Sequence, residues 1–307
     1  MNIGKERLTR IFLKLNIPLE DISYFRSGKC GDLFWYHGYL LKVSSILDRY
    51  ISMDKLQQLY ENKFSFQNYL QKSNFYVPYI QEWHSGKLVE IVEVDGFLYY
   101  AYVMEQLDGE SFPSNCLHED DVKKISIFIS EFVSVASLYP SVNKEYLHWI
   151  NITPKHYEKL PKNILGKVNE LRSSIESESV KKQFIHYDMN IGNLLVNNRI
   201  GLIDFDTVCI GDKNADIAGF LYSIWNVNFL LGICADEYYF KTVTEKMFET
   251  MSLEVVDIKR IDLFMQYRRL FLFTVFYEAI KNSNSEYYKM MVDSINNNTS
   301  FLGDLYE

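Results

Sequence analysis

The 307-residue sequence predicts an α+β protein, with an antiparallel sheet in its first third and a mainly helical remainder. Three observations carry this. Short β-type runs closed by tight turns crowd residues 22–43 and 79–104. Apolar residues recur at helical spacing through most of the chain beyond residue 120. Between those helical stretches, Leu194–Val196 and Ile200–Ile203 return to strand-type runs about the polar turn Asn197-Asn198-Arg199.

The elements follow in order. Leu8, Ile11, Phe12 and Leu15 recur at helical spacing and predict a short amphipathic helix before Pro18. Strands are then expected over Ile22–Arg26, Leu33–Tyr36 and Tyr39–Val43, the last two joined by His37-Gly38. A helix over Met53–Gln71 ends before Val77-Pro78. Strands around Tyr79–Trp83, Leu88–Val94 and Phe97–Met104 follow, with turns at Ser85-Gly86 and Asp95-Gly96. The polar Asp108-Gly109-Glu110-Ser111 places a boundary near Leu107, dividing the chain into 1–107 and 108–307. Helices are expected over Asp120–Tyr139, Pro154–Ser174, Ile217–Leu231, Asp236–Met251, Ile258–Lys281 and Ser285–Asn297. Asp216 precedes the third of these and reads as its N-cap. The aromatic run Tyr267–Tyr277 reads as core packing.

Composition restricts the function classes. The net charge of −8 disfavours nucleic acid as a partner, because phosphate backbones attract basic surfaces. Cys30, Cys116, Cys209 and Cys234 form no C-x-x-C pair, which points to a reducing compartment and away from a zinc site. No apolar stretch approaches the length of a membrane span and no leader pattern opens the chain, so a soluble, cytoplasmic protein without a membrane partner is expected.

The stretch Phe184–Tyr222 carries the chemistry. His186-Tyr187-Asp188 is followed by Asn193 and then by Ile203-Asp204-Phe205-Asp206. Folding the chain about residue 198 would bring Asn193, at the start of one strand, beside Asp204 at the end of the other. An amide oxygen and a carboxylate facing one point suit a hard divalent cation that also takes phosphate oxygens. Asp188, on the loop entering this hairpin, is placed to orient a hydroxyl and accept its proton as a phosphoryl group transfers.

These residues resemble the catalytic signature of the aminoglycoside phosphotransferase and choline kinase family, H-x-D-x-x-x-x-N followed by I-D-[FW]-[DE]. The segment Gly211–Ala218 is similar to that family's G-D-P-x-x-D-L-A, with Lys213 where proline is usual. The resemblance implies a two-lobed protein-kinase-like fold, with a nucleotide-binding lobe at 1–107 and a catalytic and acceptor-binding lobe at 108–307. It also implies transfer of the γ-phosphoryl group of ATP or GTP, with Mg2+, to a hydroxyl of a small molecule. Asp188 would be the catalytic aspartate, Asn193 and Asp204 the magnesium ligands, and His186 and Asp216 supports for the catalytic loop. Asp206 would be either a further metal-site group or a substrate contact.

Ser27, Gly28 and Gly31 lie between the first two strands, where glycines let backbone N–H groups approach phosphates. By the resemblance, Lys42 on the third strand reaches the α- and β-phosphates, and the segment at Glu105 and Leu107 meets the adenine edge. The glutamate that normally holds this lysine is replaced by Lys63, and Glu61 lies two residues off register, about 200° around the helix. Protein kinases are disfavoured as a class: Asn190 stands where their catalytic loop carries lysine, and A-P-E is absent.

Between Asp204 and Asp257 the chain has ten acidic residues against three lysines. A cleft lined by that segment would attract a cationic acceptor, an aminoglycoside or a quaternary amine, with Asp236 and Glu237 as first candidates for contact. Tyr267, Arg268 and Glu278 lie on helices from which the family builds its acceptor cleft. Antibiotic resistance is one physiological role consistent with the pattern. Choline, homoserine and methylthioribose kinases share the catalytic residues, and a non-catalytic, spore-coat-like scaffold that keeps the fold is the alternative from another class.

Overall fold

The computed structural model describes residues 3–27, 31–46, 52–113, 116–140, 160–177, 180–228, 232–252, 256–283 and 285–303. The chain divides into two compact units, Met1–Asp108 with Gly201–Phe205, and Gly109–Ile200 with Asp206–Glu307.

The first unit is built on one antiparallel sheet. Its strands are β1 (Ile22–Ser27), β2 (Gly31–Tyr36), β3 (Tyr39–Ser45), β4 (Ile80–Gln81), β5 (Glu90–Val94) and β6 (Phe97–Met104). The order is β1-β2-β3-β6, and β4 and β5 pair with successive halves of β6. The turns explain the register. His37 and Gly38 have φ of 47° and 85°, and Asp95 and Gly96 have φ of 54° and 75°. Two consecutive left-handed residues form the turn whose twist matches the strands it joins.

Two helices cover the sheet. Helix α1 (Lys5–Lys14) buries Ile11 and Phe12 against Phe34, Leu41 and Val43. Helix α2 (Met53–Lys72) places Leu56 and Phe64 with Ile80, Tyr100 and Tyr102. The side-chain amide of Asn68 ties α2 to β4, donating to Ile80 O at 2.9 Å and accepting from Ile80 N at 2.8 Å. Strand β5 starts at Glu90, later than the apolar run suggests, because the backbone N–H groups of Leu88 and Val89 donate to the Glu61 carboxylate instead.

The second unit holds α3 (Glu119–Ala136), α4 (Lys162–Ser177), α5 (Asn214–Trp225), α6 (Glu237–Thr250), α7 (Ile258–Val275), α8 (Tyr277–Ser283) and α9 (Ser285–Asn296). Short strands β8 (Gln183–Ile185) and β11 (Cys209–Gly211) pair antiparallel, and β7 (Glu110–Ser111) pairs with β9 (Leu194–Val196). Strand β10 (Ile200–Leu202) follows the turn after β9. Helix α5 packs on α7, α3 on α6, and α4 on α7 and α9.

Three expectations are corrected. The first residues of the predicted Pro154–Ser174 helix lie outside the described residues, and α4 runs from Lys162 to Ser177. The single helix expected over 258–281 breaks at Phe276. Thr274 and Val275 are weak helix formers there, and Thr274 Oγ1 bonds back to Leu270 O at 2.8 Å, which bends a helix. Helix α5 starts at Asn214, so Asp216 sits inside its first turn and not at the cap.

Candidate active site

The segment bearing His186, Tyr187 and Asp188 is pinned to α5 at three points. Asp216 Oδ2 accepts from His186 N at 2.8 Å, and its Oδ1 accepts from Tyr187 N at 2.7 Å. Gly219 lies one turn on, and a Cβ there would stand 2.9 Å from Met189 O. Ser223 Oγ, a further turn on, accepts from Ile191 N at 3.0 Å. Positions i, i+3 and i+7 share one helix face, so one stripe of α5 fixes the backbone from 186 to 191. From the other side, Thr207 Oγ1 donates to His186 O at 2.9 Å. This support explains how Tyr187 is held at a φ of 64°, a conformation that side-chain-bearing residues seldom adopt. Asp216 and His186 are fully buried. Burial pushes the Asp216 carboxyl up to about 7, against the pull of the two N–H donors.

Asp188 projects from this loop and both of its carboxylate oxygens are engaged. Arg268, on α7, donates from Nη2 to Oδ1 and from Nη1 to Tyr187 O at 3.2 Å. Asn193 Nδ2 donates to Asp188 O at 2.8 Å and to Oδ2 at 3.2 Å. Burial pushes the Asp188 carboxyl up, but the charges of Arg268 and His186 outweigh it and hold it below its ordinary value. Burial likewise works against the Arg268 charge, and Asp188 more than offsets it. The carboxylate is therefore kept ionised and aimed, the state a base needs in order to take a hydroxyl proton. Because the Asn193 amide nitrogen faces Asp188, its Oδ1 is the atom turned to other uses.

In the first unit, Lys42 Nζ donates to Asp204 Oδ1 at 2.9 Å. Lys42 is nearly buried on β3, while the Asp204 side chain is 43% exposed. Asp204 has a φ of 67°, and the chain just before it is fixed by Leu202 N donating to Tyr76 O at 3.0 Å.

Residues 136–239, which contain Asp188, Asn193, Asp204 and Asp216, match the model of a phosphotransferase enzyme family. The fold agrees. An amicoumacin kinase solved with AMP-PNP, Ca2+ and Ami superposes with a TM-score of 0.77 at 15% identity, covering 97% of each chain. A microcompartment-associated aminopropanol kinase gives 0.64 at 14% identity over 94% of this chain and 93% of its own. The aminoglycoside phosphotransferase APH(4)-Ia gives 0.57 at 14% identity over 96% and 99%. Among curated protein sequences none matches this chain. The protein thus has a protein-kinase-like fold, and its residues 136–239 are similar to a phosphotransferase enzyme family. Among the described residues no helix is long and apolar enough to cross a membrane.

The other positions that the family pattern assigns divide into those the fold uses structurally and those it leaves open. Glu61 accepts from Gln57, Leu88 and Val89, so it serves the approach to β5. Lys63 is buried with its Nζ 5.0 Å from the Tyr60 ring. Lys42 pairs with Asp204, which the family pattern assigns to metal. Gly28 lies outside the described residues. Ser27 Oγ donates to Asp32 Oδ1. Gly31 is glycine for a packing reason, since a Cβ would collide with Ser44 and Val43 O on the neighbouring strand. Glu105 exchanges bonds with Tyr79, donating from N to Tyr79 O at 3.0 Å and accepting at Oε2 from Tyr79 N at 3.3 Å. Leu107 lies beside Gly201. Asp206 is half-buried in the 3-10 turn Phe205–Thr207.

Much of the acidic segment is already engaged by backbone donors, helix caps or ion pairs. Asp212 is sealed against Arg260, and Asp216 takes backbone N–H groups. Asp236 and Asp257 cap α6 and α7. Glu245 and Glu249 face Lys241 and Lys246, and Glu254 lies outside the described residues. Glu237 is exposed in the first turn of α6, where its charge suits the helix dipole. No local pattern marks Ser223 and Gly219 as loop anchors, although their spacing from Asp216 is legible once α5 is placed.

Proposed function

We propose that the protein transfers the γ-phosphoryl group of a purine nucleoside triphosphate, ATP or GTP, to a hydroxyl of a small molecule. The observation that carries this reading is the Asp188 carboxylate, kept ionised by Arg268 and aimed by Asn193 on a loop locked to α5.

Asp188 accepts a hydrogen bond from the acceptor hydroxyl and takes its proton as the oxygen bonds to the γ-phosphorus. The bond from that phosphorus to the β,γ-bridging oxygen breaks, and the nucleoside diphosphate leaves with the electron pair. Lys42, nearly buried and held by Asp204, positions the α- and β-phosphates. The donor set suits magnesium. The Asn193 amide is turned with its nitrogen toward Asp188, leaving Oδ1, and Asp204 keeps its second carboxylate oxygen beside the one on Lys42. By the resemblance, Asn193 and Asp204 would hold the ion, which would supply charge neutralisation on the phosphates. Ser27, Gly28 and Gly31 serve the phosphates, and the backbone at Glu105 and Leu107 serves the base. Asp206, Asp236 and Glu237 are the acidic groups assigned to the acceptor's side.

Coupled nucleotide turnover with Mg-ATP and Mg-GTP across aminoglycosides, choline, homoserine and methylthioribose tests the proposal. Acceptor-dependent turnover is expected to fall about 10²- to 10⁴-fold in Asp188→Asn, the usual contribution of a positioned base. Absence of any magnesium-nucleotide binding by the wild-type chain would refute the enzyme and favour a scaffold.

A further inference from the structure

The group beside Asp188 in the second unit is a cation. A guanidinium has five N–H donors. Arg268 commits one to Asp188 Oδ1 and one to Tyr187 O. Among the described residues its other three meet no protein acceptor. The side chain is 14% exposed, against 5% for Arg260 on the same helix. Its position is fixed as well as open. The guanidinium carbon stands 5.9 Å from the Tyr187 ring centroid and 6.0 Å from that of Phe271, so two aromatic faces confine it.

A hydroxyl bonded to Asp188 shares its carboxylate with Arg268. The hydroxyl oxygen and the guanidinium nitrogen then lie about 4–5 Å apart, each being one hydrogen bond from the same group. Whatever the acceptor carries next to its reacting hydroxyl comes within reach of the spare N–H groups. An ammonium there would meet like charge. A carboxylate or carbonyl oxygen would complete a fork of charge-assisted bonds.

We propose that Arg268 is an acceptor-recognition residue, and that the acceptor is a hydroxy acid or hydroxy amide whose carboxylate or carbonyl lies within two or three bonds of the phosphorylated hydroxyl. The acceptor oxygen takes N–H groups of Arg268 while the neighbouring hydroxyl donates to Asp188. The inference rests on the kinase reading, and it narrows the acceptor to a class that the acidic segment alone did not suggest.

The test is a titration of glycolate, glycolamide and ethanolamine, matched two-carbon fragments, into the full-length protein saturated with Mg-AMP-PNP, read by calorimetry. Glycolate and glycolamide are expected to bind about 10- to 100-fold more tightly than ethanolamine, the size of a charge-assisted hydrogen bond. Arg268→Gln should abolish the difference, and Arg268→Lys, which keeps charge without the fork, should retain it for glycolate and lose it for glycolamide. Equal affinities, no fragment binding, or a preference that persists in Arg268→Gln would overturn the assignment while leaving the kinase reading intact. Failure of the wild type to bind Mg-AMP-PNP would instead overturn both.

Discussion

Helix α7 carries two arginines that each hold an aspartate, Arg260 with Asp212 and Arg268 with Asp188. The first pair is sealed, with side chains 5% and 4% exposed. Arg260 also donates to Ile175 O at 3.0 Å, and Asp212 Oδ1 accepts from the Asn214 backbone at 2.9 Å and its side chain at 2.8 Å. This pair joins α4, α7 and the start of α5. The second pair is partly open, at 14% and 30%, and Arg268 retains donors that the described residues do not use. Both are guanidinium-carboxylate contacts. Satisfaction and exposure, and not the contact itself, mark the first as a support for the fold and the second as a place where a ligand can take part.

The sharpest break in this comparison is Arg260→Met. It leaves the Asp212 charge buried without its partner, and about 3–5 kcal/mol of stability should be lost, seen as a lower denaturant midpoint. The turnover number per folded molecule should stay near wild type. Removing Asp212 as well should cost less than the two single changes together, because the orphaned charge goes with it. A large loss of turnover at full folding would erase the distinction. Arg268→Gln is expected to show the opposite division. Acceptor kcat/KM should fall about 10- to 100-fold, while stability changes by roughly 1 kcal/mol because the partly exposed carboxylate regains water. A Tm shift as large as that of Arg260→Met would place Arg268 among the structural pairs.

How far the sequence shows this depends on the range of each interaction. The sheet of the first unit was legible because alternation and two-residue turns are local, and β1, β2, β3 and β6 fall where the runs predict them. The segment from His186 to Asp206 stood out through the spacing of its motif. Strands β7, β8 and β11 were not, since two or three residues carry no period and their pairing partners lie far along the chain. The start of α5 was misplaced because an aspartate before an apolar run has the appearance of a cap, whereas Asp216 turns its carboxylate to a distant backbone. Arg268 could be placed near an acceptor by resemblance alone. Its bond to Asp188 joins residues 80 positions apart, and no local pattern encodes that. Charge counts in the acidic segment likewise do not reveal which carboxylates are already capped or paired.

Smaller effects are expected at the α5 positions that hold the loop. Gly219→Ala should cost about 1–3 kcal/mol and loosen the loop, because its Cβ would press on Met189 O. Asp216→Asn keeps one acceptor oxygen for two N–H donors, so about 1–3 kcal/mol should be lost.

The pH dependence separates Asp216 from Asp188 by sign. Asp188 is held below its ordinary value, so its contribution is present above the unfolded pKa and is lost as pH falls. Asp216 is pushed up to about 7, so its contribution is full below the unfolded pKa and is lost as pH rises through about 7. Between these values the folded protein holds a proton that the unfolded chain has released, and stability should decline with pH by at most about 1.4 kcal/mol per unit. Asp216→Asn has no proton to hold at that site. The difference in stability between wild type and variant, followed by denaturant titration from pH 5 to 8, should therefore narrow as pH rises. His186 and Arg268 sit in both proteins, so their own responses largely cancel in the difference. A gap that stays constant would mean Asp216 is ionised throughout, with the two backbone N–H groups outweighing its burial.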